Sequence, residues 1–482
     1  MRCFRSIFLL TLLALFPLCA QNRSDDLSKL IGEIWSGGQH ASYLQKLSDE
    51  IGHRLTGSPG GERSEQTVLQ WMKELKLENV HLEPFHMPAR WERGTASAAV
   101  VKPYARKLTV ASYTWTPGTR SGGIMGPVVD GGTGKPEEIE AIKSRLKGAI
   151  ALVAPAGVTL DEVIGNFYRT PEFVKECAAA GAVAVMIASD KEKTLLYTSP
   201  VSFNGEVSPA PAVSIAKEDV EFLRRLLSAG TPVEVQVDLT NELGPAFMAN
   251  NVVGEIRGTE NPEEVIVLGA HLDSNDLGPG ALDNAAGCAA LLETARAIKQ
   301  LGLKPKRTIR FVFFMGEEEG MIGSTEYVKA HLQEMGNIVA VLIMDIGAGK
   351  PRGWFSMGRT DLDGEIQSLM APLAHMGVSL IVHDAFAATD NAAFMAAGVP
   401  NLVMLQDDTP YFPVHHTAAD TPDKAEIRDF TSCVVALAAT THQLVDQPKR
   451  FGKRLNTMEI GKMMQDSNIE YQWRAAKIWP LQ

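Results

Sequence analysis

From Asn250 onward the chain repeats one unit: a short apolar run, a turn carrying a histidine or a carboxylate, and a stretch with helical spacing. The runs are Val265 to Leu268, Ile309 to Phe314, Val339 to Met344 and Leu402 to Leu405. A strand with one wet face alternates apolar and polar residues, and these do not. Such strands are covered on both faces, which predicts an α/β fold, a sheet with helices above and below. Sheets of this kind assemble their sites beyond the carboxyl ends of the strands. The residues just after each run are therefore the first place to look for chemistry.

The rest of the composition narrows the class. A chain of 482 residues with 45% hydrophobic and 21% charged residues is globular rather than disordered, and long enough for more than one domain. A net charge of −11 has the wrong sign for a nucleic-acid binder. No stretch reaches the roughly 20 apolar residues of a membrane helix. Residues 1–20 read as a cleaved signal peptide: Arg2 and Arg5, an apolar run from Ile7 to Leu15, then Leu18-Cys19-Ala20. Cys19 raises a lipoprotein alternative, against which Leu18 is a poor neighbour. The mature chain would carry −13, act in the periplasm or outside the cell, and retain Cys177, Cys288 and Cys433. Three cysteines do not make a disulfide framework and are expected as small buried side chains.

From Asp25 to about Arg90 the spacing of Leu69, Trp71, Met72, Leu75 and Leu77 predicts mainly helix, with Ser64 as a cap and a polar turn from His53 to Gly61. Between Gly94 and Leu239 the texture changes. Strands are expected at Ala149 to Val153, Val183 to Ile187, Ala212 to Ile215 and Val233 to Val237, with helices at Phe173 to Ala180 and Glu218 to Leu227. This part has no cluster of His, Asp or Glu and reads as an inserted module. The stretch from Pro448 to Gln482 is a terminal extension without an assigned role.

Chemistry concentrates after the four apolar runs. His271-Leu272-Asp273 closes the first, and Asp273 is placed to hold the proton on the nitrogen that a ligating His271 leaves free. Gly278-Pro279-Gly280 then turns Asp283 back toward His271. Glu317, Glu318 and Glu319 follow the second run. Adjacent carboxylates repel, and burying one is costly unless it is paired or binds a cation. Two neighbours with two roles resolve this: one ligates a metal and the other moves a proton. Asp345 closes the third run, and His415-His416 follow the fourth. Singly, each has a plain structural alternative: a hydrogen-bonded pair, an acidic loop, a helix cap, two loop histidines. Jointly they form a mixed nitrogen and oxygen set suited to Zn²⁺ or Mn²⁺. The set is too rich for one tetrahedral ion and fits two ions about 3.5–4 Å apart.

These residues carry a resemblance. Gly269-Ala270-His271-Leu272-Asp273-Ser274, Gly278 to Asn284, Gly316 to Gly320 and His416-Thr417-x-x-Asp420-Thr421 are similar to the motifs of the M28 family of zinc exopeptidases. The segments around Lys147-Gly148 and Ala180-Gly181-Ala182 resemble a protease-associated domain inserted in that fold. His81-Leu82-Glu83-Pro84, Trp91-Glu92-Arg93-Gly94, Thr389-Asp390, Ala397-Gly398-Val399-Pro400 and Phe412-x-x-His415-His416 extend the likeness over nearly all of the mature chain. The resemblance implies a mixed zinc-exopeptidase sheet built from residues 21–94 and 245–482, with a β-rich protease-associated insert at 95–244. It implies two zinc ions, with His271 and Asp345 on one, Glu318 and His416 on the other, and Asp283 bridging through a cis bond to Asn284. Glu317 becomes the general base, Asp273 a supporting residue and His415 the group facing the oxyanion. The residues around Asp345 depart from the pattern, and Asp345 is the one carboxylate there able to serve.

The same resemblance implies a dipeptide or short-peptide substrate and a homodimer. It favours a carboxypeptidase or dipeptidase, with an aminopeptidase as the alternative. Receptor-like relatives without metal ligands, and single-zinc cyclotransferases, share the plan more distantly. Asp390, Asn391 and Tyr411 are candidate substrate contacts. An aminopeptidase would need acidic groups such as Asp390, Asp407 or Asp408; a carboxylate reader would need a cation, for which Arg54 and His53 are candidates.

Overall fold

The computed structural model describes residues 25–157, 159–479 and 481. The expected signal peptide, 1–20, lies outside the described residues. Two eight-stranded sheets organise the chain. The first runs Glu78–Met87, Phe247–Ile256, Arg307–Phe314, Asn261–His271, Ile338–Ile343, Asn401–Gln406, Pro351–Phe355, Leu380–Val382. Its four central strands, which contain the four apolar runs except for Met344, are mutually parallel, and antiparallel strands flank them. The sheet is mixed, as the resemblance implied.

Both faces of that sheet are covered, and the strand period decides which residue goes where. Ile266, Leu268, Phe311, Phe313, Leu342 and Leu402 pack on one side, with the helices Ala286–Gln300 and Ile427–Asp446. Val265, Val267, Val312, Phe314, Val341 and Val403 pack on the other, with Ile322–Ala330 and Asn391–Ala396. Consecutive apolar residues therefore face opposite cores, which is why the runs show no alternation.

The second sheet draws its strands from residues between Ala96 and Leu239, in the order Arg106–Leu108, Ala96–Lys102, Glu234–Leu239, Ile124–Asp130, Ile150–Val153, Ala184–Ala188, Ala212–Ile215, Val110–Ser112. Cys177, Cys288 and Cys433 are free and buried, as expected. No helix among the described residues is long and apolar enough to cross a membrane.

Some expectations fail locally. Residues Glu78–Met87 and Arg90–Glu92 are strands, not helix. The first lies at the sheet edge, mostly half-exposed, so its sequence lacks the alternation that marks a strand. The cap of the helix Pro59–Glu74 is Ser58, whose Oγ accepts from Gly61 N at 3.1 Å, with Pro59 at the first position. Ser64 sits buried inside that helix. The helix expected from Phe173 begins earlier, spans Leu160–Ala179 through Pro171, and stops at Gly181 with φ +91. The terminal extension forms the helices Thr457–Asp466 and Glu470–Ala475, and Trp473 is buried in the second of the two cores described above.

Candidate metal centre

Parallel pairing brings the candidates to one level. His271 is the last residue of its strand and pairs with Phe314; Gly269 pairs with Ile343, and Ile343 with Val403. The segments carrying Glu317, Asp345 and His416 therefore leave the same edge of the sheet. His271 Nε2 lies 3.1 Å from Asp283 Oδ1 and 2.8 Å from Asp345 Oδ1. His416 Nε2 lies 2.9 Å from Glu318 Oε2 and 3.3 Å from Asp283 Oδ2. The two oxygens of Asp283 thus face two different histidines, each with its own second carboxylate. Two groups with metal-ligand spacing share Asp283: His271, Asp283 and Asp345, and Asp283, His415 and His416.

The scaffold beneath explains this convergence. The Asp273 carboxylate accepts from Gly316 N at 3.0 Å, Glu318 N at 3.2 Å and Glu317 N at 3.4 Å, and from Thr56 Oγ1 at 2.9 Å. It shapes the turn that presents Glu317 and Glu318. The nearest partner of His271 Nδ1 is the main-chain oxygen of Asp273 at 3.1 Å, with its carboxylate at 3.6 Å. Orientation of His271 thus comes mainly from the main chain. Asn284 Nδ2 donates to Asp345 Oδ1 at 2.9 Å, and the Asp283–Asn284 peptide is cis, as the resemblance implied. Asp420, whose signal is its spacing from His416, accepts from Leu282 N and Asp283 N at 2.7 and 3.1 Å. Burial, with Asp283 adding to it against these hydrogen bonds, pushes its carboxyl up to about 7.

The electrostatics call for cations. Asp273, Asp283, Glu318, Glu319, Asp345 and Asp390 are buried together, and among the described residues no lysine or arginine forms an ion pair with them. Burial raises Glu318 and Asp345, pushes Asp390 up to about 8 and holds Glu319 well above the usual range. Burial opposes a charge on the imidazoles as well. Yet Glu318 and Asp283 carry His416 up to about 10, and Asp345 and Glu317 carry His271 well above its ordinary value. The surrounding carboxylates thus favour positive charge at two points. Divalent cations would supply it and let each ring act as a neutral ligand, so the donor set fits metal.

Glu317 is partly buried and belongs to neither group. Burial raises its carboxyl well above the usual range; His271 opposes this, and Asp345, Asp390 and Glu318 add to it. His415 stacks on His416 with ring centroids 3.8 Å apart and sits 3.4 Å from Asp283 Oδ2. Burial, and then the neighbouring His416, hold it well below its ordinary value. Tyr411 packs on His415 at 5.0 Å.

Residues 251–441 match the profile of Peptidase family M28. Carboxypeptidase Q of Xenopus laevis is 32% identical over 402 residues, 82% of this chain and 84% of that one; the Homo sapiens protein is 30% identical over 417, 86% and 87%. The chain belongs to peptidase family M28. Among solved structures, an M28 peptidase precursor from Shewanella amazonensis superposes with a TM-score of 0.82 at 25% identity, covering 91% of this chain and all of that one. A zinc aminopeptidase from Bacillus subtilis superposes with a TM-score of 0.66 at 25% identity, covering 87% and 97%. This M28 peptidase is therefore a metallopeptidase homologous both to carboxypeptidase Q and to bacterial aminopeptidases.

The side chains considered for substrate fare unevenly. Arg54 is fully buried and its guanidinium donates to the main-chain oxygens of Leu272, Leu47, Gly52, Pro279 and Gly280. It fastens the turn that carries Asp283 and cannot read a substrate carboxylate. Asn391 is buried with its amide 3.4 Å from Phe386 O and Asn401 Oδ1, and Asp390 is buried too. Asp407 is occupied by Thr409 and Arg352. Arg54→Ala would strand those buried carbonyls; the expected result is a loss of about 3–5 kcal/mol in denaturant unfolding. Arg54→Lys should recover little, because an ammonium lacks the planar fork.

Proposed function

We propose that this M28 peptidase is a two-zinc exopeptidase that hydrolyses dipeptides or short peptides, of the carboxypeptidase or dipeptidase type. One observation carries the reading: Asp283 turns its two oxygens to two separate histidine–carboxylate pairs. His271 and Asp345 would hold one ion, Glu318 and His416 the other, and Asp283 both. When bound, the ions supply Lewis-acid polarisation of the scissile carbonyl and make water acidic enough to attack near neutral pH. Glu317, its basicity raised by burial, accepts the proton of the attacking water and delivers it to the leaving amine. His415, beside Asp283 and stacked on His416, would donate to the developing oxyanion. Asp273 keeps Glu317 and Glu318 in position through the main chain.

The preference for a free C-terminus rests on likeness to carboxypeptidase Q over most of both chains. The N-terminal sequence supports a secreted or periplasmic location, residues 95–244 are read as a protease-associated insert, and a homodimer is expected. Light scattering at micromolar concentration that gives a monomer mass would remove the dimer. The deciding experiment is a dipeptide panel in free, N-blocked and C-amidated forms, with and without chelator. Cleavage should stop with chelator and with C-amidation. Loss on N-blocking alone would make the enzyme an aminopeptidase, and activity undiminished by chelator would overturn the metal reading.

A further inference from the structure

The two histidines at the centre are held in different ways. The main-chain partner of His271 Nδ1 is two residues away in its own segment. The partner of His416 Nδ1 is Thr198 O, at 2.9 Å, in the segment that belongs to the second sheet. The contact is reciprocal, since Thr198 N donates to His416 O at 3.2 Å. His416 has φ +59, a conformation that a non-glycine residue adopts only when its surroundings fix it. Tyr197 covers the same imidazole, with ring centroids 5.3 Å apart and planes at 16°.

Asn275 ties this contact to the neighbouring carboxylate. Its amide nitrogen donates to Thr198 O at 3.0 Å, its amide oxygen accepts from Thr198 Oγ1 at 3.0 Å, and its main-chain N–H donates to Glu318 Oε1 at 2.5 Å. Glu318 and His416 are thus joined through a strand-end loop on one side and the second sheet's loop on the other. Asp345, in contrast, is oriented by Asn284 within the first sheet's own part of the chain. A carbonyl at Nδ1 requires the proton there and leaves the Nε2 lone pair free for a metal.

We infer that Tyr197, Thr198 and Asn275 are positioning residues for the Glu318–His416 ion alone, so that filling of that site depends on the second sheet's loop being docked. The inference rests on the two-ion reading above. It makes the two sites inequivalent: the His271–Asp345 site is complete within the first sheet's segments, and the other is not.

The test titrates zinc into the chelator-stripped full chain by calorimetry, for the wild type, Asn275→Ala and Thr198→Val. The wild type should take two ions. Asn275→Ala keeps the main-chain N–H that Glu318 accepts and removes the amide that holds Thr198 against His416, so it should weaken one of them by up to about 10-fold, the low end of the loss of a ligand's own outer partner, and leave the other unchanged. Thr198→Val keeps shape and carbonyl and removes only the hydroxyl, so a smaller loss confined to the same ion is expected; it decides the matter if Asn275→Ala does not fold. Two ions bound with wild-type affinities in these variants, or both weakened alike, would overturn the inference while leaving the two-ion reading intact. Fewer than two ions in the wild type would instead overturn that reading, and this inference with it.

Discussion

Glu317→Gln is expected to bind zinc like the wild type and to turn over substrate about 10²–10⁴-fold more slowly, the usual range for a lost general base. The substitution keeps size and removes only the capacity to take and return a proton. The turn around Glu317 is held through main-chain N–H groups by Asp273, which an amide at position 317 leaves undisturbed. Glu317 also lies outside both ligand groups, so metal content should not change. The loss should appear in kcat with KM little altered, because the proton transfers belong to the chemical step. Zinc content measured on the same preparation separates the two possibilities. Turnover within tenfold of the wild type, at full zinc, would remove Glu317 from the reaction.

The sequence made the parallel core legible because its signal is local. Four apolar runs specify four buried strands, and each ligand candidate follows its strand within a few residues or in the next loop. Motif spacing then added roles that periodicity cannot supply. What stayed hidden depends on contacts between distant residues. Arg54 sits in a polar, glycine-rich turn and reads as an exposed cation; it is buried because carbonyls from Leu272, Pro279 and Gly280 converge on it. The edge strand Glu78–Met87 is not legible in the sequence, because an edge with mixed exposure loses the period that identifies strands. Ser58 ahead of Pro59 is a cap signal as legible in the sequence as Ser64, and it is the one the helix uses. Thr198 offered no signal, since it acts through its main chain, 218 residues from His416. The second sheet's segment looked chemically inert for the same reason. Its side chains carry no candidate ligands, yet its backbone holds one in place.

Asp283→Ala should lose both ions together, and its effect on stability should be large with metal and small without it. On the two-zinc reading each ion would stabilise the wild-type fold by mass action, about 4 kcal/mol when free metal exceeds its Kd a thousandfold. Removing the carboxylate that faces both histidines takes away that linkage, so the melting temperature in zinc should fall steeply. In chelator the comparison differs. Without cations, Asp283 is a buried carboxylate close to Glu318 and Asp345, and it raises the carboxyls of both. Its loss relieves that repulsion but also leaves His271 and His416 without a shared acceptor. These effects oppose one another, so the stripped variant should melt close to the stripped wild type. A packing defect would behave otherwise, lowering the melting temperature equally with and without metal. Undiminished zinc occupancy in Asp283→Ala would show that the two sites do not share this residue.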